Sequence, residues 1–282
     1  MNGLKPSIPV VVFGLILASA SSPANAARCG GAAGFKPWLA KFEKQAIKQG
    51  ISASTARALR GLAYDAKVIR LDRSQRGFKA SFQRYCRRRL NNAMIRIGQR
   101  KIKAYARMLR GIEKRFGVPG PVLVSIWGLE TGYGGFSGNM NVLRSLATLA
   151  YDCRRKEMFT RELIAALKIL DRGDMRIDQM RGAWAGEIGQ TQFLASNYVR
   201  FAVDWDRDGR RDLIRSVPDV LASTANYLKG YGWKKNGGWK LGSHNFKVIE
   251  KWNRARVYQL TISRMSTALA NPGNMSIAEI CR

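Results

Sequence analysis

Apolar residues recur at helical spacing along nearly the whole chain. Pro37, Trp38, Leu39, Phe42 and Ile47 form a first stripe that stops near Gly50, and a short second helix follows with Ser52 or Ser54 as its cap. A longer stripe comprises Phe82, Tyr85, Leu90, Met94, Ile97, Ile102, Tyr105, Leu109, Ile112 and Phe116. It predicts one long helix, interrupted at Gly98, wetted on its other face by Arg and Lys, and ended by Gly117-Val118-Pro119-Gly120. Pro121 suits the first position of the next helix, which carries Val122, Leu123, Val124, Ile126, Trp127 and Leu129 up to Gly132. Further helices are predicted over 142–151, 156–171, 190–202 and 218–230. After Tyr231 the chain turns Gly- and Asn-rich, and one or two helices return over 248–268. The expected fold class is mainly α, and no repeat or low-complexity linker marks a domain boundary.

The first residues follow a different pattern. Lys5 precedes an apolar stretch over 8–20, and Ser21-Ser22-Pro23-Ala24-Asn25-Ala26 follows, the order of a secretory signal peptide cut after Ala26. A spanning helix needs about 20 apolar residues, and this stretch is shorter and contains Pro9. Arg28 beside Cys29 argues against a lipid anchor, so a soluble periplasmic or secreted mature chain is expected. The four cysteines, Cys29, Cys86, Cys153 and Cys281, contain no CxxC spacing. In an oxidising compartment they predict two disulfides, with three connectivities open.

Composition narrows the chemistry. A net charge of +30 calls for an anionic partner or surface, with solubility alone as the other reading. Export disfavours nucleic acid, and the aromatic residues lie on apolar helical stripes rather than interleaved with basic ones, so no nucleic-acid partner is expected. His244 is the only histidine in the chain, which excludes multi-histidine metal sites. No GxSxG-like turn accompanies it, and it reads as an exposed loop histidine. Catalysis therefore falls to carboxylates.

Glu130 is the leading candidate. It stands in Trp127-Gly128-Leu129-Glu130-Thr131-Gly132-Tyr133-Gly134, at the end of an apolar helix, with Ile126 and Trp127 on its own face. Burial and the negative end of the helix dipole both raise the pKa of a carboxyl placed there, as a general acid at neutral pH requires. The competing reading is an ordinary helix-end glutamate with some apolar cover.

This segment resembles the catalytic glutamate motif of the lytic murein transglycosylase B family. Matching blocks continue in order: Arg144-Ser145-Leu146-Ala147-Thr148-Leu149-Ala150, then Gly182-Ala183-Trp184-Ala185-Gly186-Glu187-Ile188-Gly189-Gln190-Thr191-Gln192-Phe193, then Ala225-Asn226-Tyr227-Leu228. The similarity covers roughly residues 36–265. It implies a lysozyme-like catalytic core held by a larger helical domain, apportioned as a signal peptide over 1–26, helical domain over 27–117, core over 118–240 and a returning segment over 241–282. It also implies non-hydrolytic cleavage of the bond from N-acetylmuramic acid to N-acetylglucosamine in peptidoglycan glycan strands, giving 1,6-anhydro ends. By the same resemblance Glu130 is acid and then base, Gln192 and Tyr227 hold substrate, and Trp252 and Tyr258 fall where the family usually has two tyrosines. No cofactor is expected for the chemistry, and a monomer is expected.

The chain departs from the family pattern at three positions. Trp252 keeps a stacking face but loses a hydroxyl; Ala183 replaces a common serine that contacts the glutamate; and Glu187 replaces a common alanine. Glu187 reads either as a solvent-exposed or ion-paired residue or as a second carboxylate facing the cleft. The latter keeps open a hydrolytic, lysozyme-like mechanism, which ordinarily uses two carboxylates. A non-catalytic, basic wall-binding protein is the remaining alternative. Separately, Asp204, Asp206, Asp208, Gly209 and Asp212 reproduce the first nine positions of an EF-hand loop, in which Arg210 occupies the position that ligates through its backbone carbonyl. Position 12 is Arg215, and the similar family loop takes its last carboxylate later, which points to Asp219. Asp219 also fits a capping box begun by Ser216. The loop is a candidate structural calcium site.

Overall fold

The computed structural model describes residues 31–75, 80–271, 273 and 275–282. The predicted leader and Cys29 lie outside them. Among the described residues the helices follow in the order α1 (Phe35–Lys48), α2 (Ala53–Ala56), α3 (Ala66–Arg73), α4 (Phe82–Arg89), α5 (Asn92–Ala104), α6 (Ala106–Phe116), α7 (Gly120–Thr131), α8 (Val142–Tyr151), α9 (Lys156–Asp171), α10 (Ala195–Phe201), α11 (Val217–Gly230), α12 (His244–Trp252), α13 (Arg256–Ala270) and α14 (Ile277–Ile280). Two short strands, β1 (Met140–Asn141) and β2 (Arg181–Gly182), pair antiparallel with Met140 opposite Gly182. The mainly α expectation is met, and none of these helices is long and apolar enough to cross a membrane.

Two predicted helices change. The stripe over 82–116 is three helices rather than one. Leu90 is extended, and the Asn91 side chain accepts the Met94 N–H at 2.9 Å, capping the start of α5; Tyr105 then separates α5 from α6. Gly98 interrupts nothing. It sits inside α5, where a Cβ would lie 2.6 Å from the Tyr133 hydroxyl and 2.9 Å from a Leu269 methyl, so it is there for close packing. The helix expected over 190–202 begins only at Ala195, because Gly189 and Gln192 take left-handed φ values of 76° and 55°. Residues 182–193 instead fold back on themselves through bridges from Ile188 to Gly182 and to Phe193. His244 is exposed, as expected, but opens α12 rather than lying in a loop; its Nε2 is 2.9 Å from the Gly232 carbonyl oxygen.

The core is organised around α7. Its sequence has no polar face, and a helix apolar all round must be covered on every side. Residues Val122 to Leu129 and Thr131 are buried, with α5, α6, α11 and α13 packed about them. Tyr258, Ile262, Met265 and Leu269 form the buried stripe of α13. Each such aliphatic side chain contributes about 1.5–3 kcal/mol through burial. A second group of helices packs beside this core: α9 lies between α8 and α10, and α1 and α3 rest on α8. Cys86 in α4 is bonded to Cys281, which follows α14. Cys153 is disulfide-bonded as well.

Candidate active site

In α7 only Pro121, at the helix start, and Glu130, in the last turn, are not buried. The helix ends at Gly132, whose φ of 61° is the left-handed conformation that lets the chain turn away, and its N–H bonds back to the Gly128 carbonyl at 2.9 Å. Arg89 of α4 donates to the otherwise uncapped Leu129 carbonyl. Tyr133, also at positive φ, packs edge-on against Trp127 and donates to the Met94 carbonyl at 2.8 Å, which fastens the turn to α5. Glu130 is thus presented on a rigid helix end, half-buried at the edge of the core.

Two donors converge on one oxygen of its carboxyl group. The Tyr258 hydroxyl donates to Oε1 at 2.6 Å and the Trp252 indole N–H donates to the same atom at 2.9 Å. Burial pushes the Glu130 pKa up; the two hydrogen bonds and the positive charge of Arg89 oppose that rise, and the net shift is upward. With Oε1 occupied as acceptor twice, the proton of the neutral acid resides on Oε2. A carboxyl set this way can donate from Oε2, and the same two donors then stabilise the carboxylate it leaves. Burial and the nearby Glu130 charge hold the Tyr258 pKa far above its ordinary value, so it remains a donor.

The expected residues gather around this acid to different degrees. Trp252 and Tyr258 touch it. The indole N–H supplies the donor that the missing hydroxyl left in question, and no donor to Glu130 comes from Ala183 or its segment. Tyr227 is buried and does not reach Glu130; its ring meets Trp252 edge-on at 4.9 Å, and its hydroxyl donates to the Lys251 carbonyl at 2.7 Å, buttressing Trp252. Gln192 makes no hydrogen bond to Glu130; its amide donates to the carbonyls of Ser137 and Gly189 at 3.0 and 2.9 Å. Glu187 is neither exposed nor ion-paired: it is 3% exposed, and its carboxyl oxygens are sealed from solvent with only the backbone of Ala185 and of Glu187 itself turned toward them. It offers no open second carboxylate to the cleft.

Two contributors escaped the sequence reading. Arg89 belongs to an Arg-rich run that reads as a wet helix face. Gln190 lies inside a motif block, yet only the fold reveals that it fastens that block to α7. Its Oε1 accepts the Trp127 N–H at 2.8 Å, its carbonyl accepts the Thr131 hydroxyl at 2.6 Å, and its amide donates to the Ile214 carbonyl at 2.8 Å. Nothing short of the three-dimensional contact signals this role.

The acidic loop also draws together in part. Carboxylate oxygens of Asp204, Asp206 and Asp219 lie within 4.8 Å of one another. Asp219 is anchored by the N–H groups of Trp205 and Asp212, at 2.7 and 2.8 Å. Its pKa is pushed up to about 6 by burial and then by the charges of Asp206 and Asp204, a repulsion that a divalent cation relieves. Asp208 stands outside that group and accepts the Arg210 N–H at 2.8 Å. The donor set is all oxygen, which fits calcium.

Residues 34–242 match the model of the transglycosylase SLT domain family. The chain is 39% identical over 122 residues to membrane-bound lytic murein transglycosylase B of Escherichia coli K12; the match covers 43% of this chain and 33% of that protein's length. The crystal structure of Pseudomonas aeruginosa SltB3 in complex with NAG-anhNAM-pentapeptide superposes with a TM-score of 0.80 and 34% identity, covering 86% of this chain and 81% of that one. The Escherichia coli lytic transglycosylase SLT35 in complex with calcium shares the fold, with a TM-score of 0.74 and 24% identity, covering 83% and 93%. On the extent of the family match and the likeness to SltB3, the chain belongs to the transglycosylase SLT domain family.

Proposed function

We propose that this protein cleaves peptidoglycan glycan strands as a lytic transglycosylase, with Glu130 as its single acid and base. The observation that carries the reading is a sealed core helix opened in its last turn at one carboxyl group, whose Oε1 is held by two donors. Glu130 Oε2 gives its proton to the oxygen leaving C1 of N-acetylmuramic acid. The resulting carboxylate, steadied by Tyr258 and Trp252, takes the proton of that sugar's C6 hydroxyl as O6 bonds to C1. The 1,6-anhydro ring closes, no water is consumed, and Glu130 ends protonated. Tyr227 and Gln192 support the substrate cleft. The sealed oxygens of Glu187 count against hydrolysis, because a two-carboxylate mechanism needs a second group that reaches the sugar or its attacking water. The anhydro-sugar ligand of the SltB3 complex supports the same product here.

The division into a core over 118–240, held by 27–117 and 241–282, is part of this proposal, as are periplasmic residence and a monomeric state. Glycan strands are the proposed partner, and the +30 charge favours contact with anionic envelope surfaces. Asp204, Asp206 and Asp219 would hold calcium, with Asp208 and the Arg210 backbone completing the loop; calcium would brace the approach to α11 and takes no part in proton transfer.

The test is mass spectrometry of the soluble products released from purified sacculi. Anhydro-ended muropeptides are expected, and Glu130→Gln should fold but lose activity by about 100-fold or more. Products one water heavier would establish hydrolysis. Wild-type rates from Glu130→Gln would remove Glu130 from the chemistry.

A further inference from the structure

A cavity of about 770 Å³ is walled by the starts of α10 and α13 and the ends of α11 and α12. It lies one residue beyond each donor to Glu130. Lys251, in its wall, precedes Trp252, and Gln259, also in its wall, follows Tyr258. Tyr227, which meets Trp252 edge-on, lines it as well. A space of this size takes a small organic group, and its place beside the acid's donors puts it in reach of whatever substituents the bound sugar carries.

Most polar groups of the wall are already engaged. The Glu250 carboxylate accepts from Arg256 at 3.1 Å, the Gln259 amide donates to the Asn253 carbonyl at 2.8 Å, and the Ser196 hydroxyl donates to Glu162 at 2.6 Å. Asn197, Lys251 and Arg254 are not engaged: among the described residues their side chains have no hydrogen-bond or ionic partner. Glu250 is the only acid of the wall and Arg256 neutralises it, so the cavity keeps two uncompensated positive charges. The rings of Tyr227 and Tyr231, 4.6 Å apart, supply an apolar side. Cations alone would suit any anion. Two cations with a free amide and two rings suit a carboxylate on a short peptide, whose backbone and aliphatic side chains use the rest of the wall.

We propose that this cavity binds the acidic stem peptide that N-acetylmuramic acid carries, Lys251 and Arg254 meeting its carboxylates and Asn197 a peptide amide. The inference rests on the functional reading above and deepens it. A muramic acid residue set with its C1 at Glu130 brings its own peptide to the flank of the cleft, so the cavity selects peptide-bearing strands over naked glycan. Lys251 and Arg254 are specificity-determining residues; neither touches the reacting atoms.

The experiment compares wild type with Lys251→Gln/Arg254→Gln on purified sacculi and on the same sacculi stripped of stem peptides by an amidase. Both positions are exposed, so the fold should tolerate the change. The double variant is expected to raise the half-saturating concentration of intact sacculi about tenfold, with kcat and the response to stripped strands each within about twofold of wild type. Equal losses on both substrates, or none on either, would overturn the proposal. So would an equal loss from Lys44→Gln/Lys48→Gln, which removes the same charge from the exposed face of α1 and measures diffuse attraction alone. In the wild type, the free stem peptide released by the amidase should compete with intact sacculi and inorganic phosphate at the same concentration should not. Phosphate that competes as well as the peptide would assign the cavity to phosphate-bearing envelope polymers and overturn the proposal. A wild type that yields no anhydro product from either substrate defeats the functional reading itself; an active wild type whose double variant loses equally on both defeats only the role of the cavity.

Discussion

The proton of Glu130 is governed by the two donors that its Oε1 accepts. The Tyr258 hydroxyl favours the carboxylate, so Tyr258→Phe raises the Glu130 pKa and moves the alkaline limb of activity to higher pH. It also removes a charge-assisted hydrogen bond worth about 1.5–3 kcal/mol, most of it realised once the proton has left, so the maximal rate should fall roughly 10- to 100-fold. A pH–rate profile of Tyr258→Phe checks both parts; a limb shifted to lower pH would contradict the sign. At this scale the local setting in the sequence singles out Glu130, while Trp252 and Tyr258 come only from the family resemblance; the structure brings the three side chains into contact. The state of Glu187 was not legible, because an irregular turn segment has no periodicity from which to read burial.

Helix interiors and the ends marked by glycine at Gly50, Gly117 and Gly132 were readable; the breaks inside the stripe over 82–116 were not. The stretches over 142–151 and 156–171 coincide with α8 and α9, since each apolar stripe there ends where the helix does. The stripe over 82–116 misled because successive helices α4, α5 and α6 all turn an apolar face inward, so the pattern passes across two breaks without a lapse. Gly98 shows the reverse error. Helix propensity predicts that Gly98→Ala stabilises α5 by about 1 kcal/mol, but the new Cβ would press on the Tyr133 hydroxyl and Leu269, and overpacking of this kind costs about 1–3 kcal/mol. Gly98→Ala is therefore expected to lower the melting temperature; a rise would mean that Tyr133 yields freely. The acidic loop before α11 is tested in a similar way. Calcium should raise the melting temperature of the wild type and not that of Asp204→Asn/Asp219→Asn, and an equal response from both would place any bound calcium elsewhere.

Across the whole molecule, the Cys86–Cys281 bond closes a loop with a sequence separation of 195. In the chain-entropy model a loop of that length contributes about 5 kcal/mol, so Cys86→Ser/Cys281→Ser should melt roughly 10–20 °C lower under oxidising conditions. A shift of only a degree or two would mean that the helical packing alone sets stability. The bond also holds α4 in place, and α4 bears Arg89 at the end of α7 and Tyr85, whose ring lies 6.5 Å from that of Tyr258. Loss of the bond should therefore lower activity before it unfolds the chain.

The carboxyl of Glu130 and its two donors are separated by 122 and 128 residues of chain. The helix that bears the acid therefore carries neither donor, and both come with α12 and α13. In the proposed mechanism, a chain cut short before α12 keeps the acid and loses both groups that steady its carboxylate.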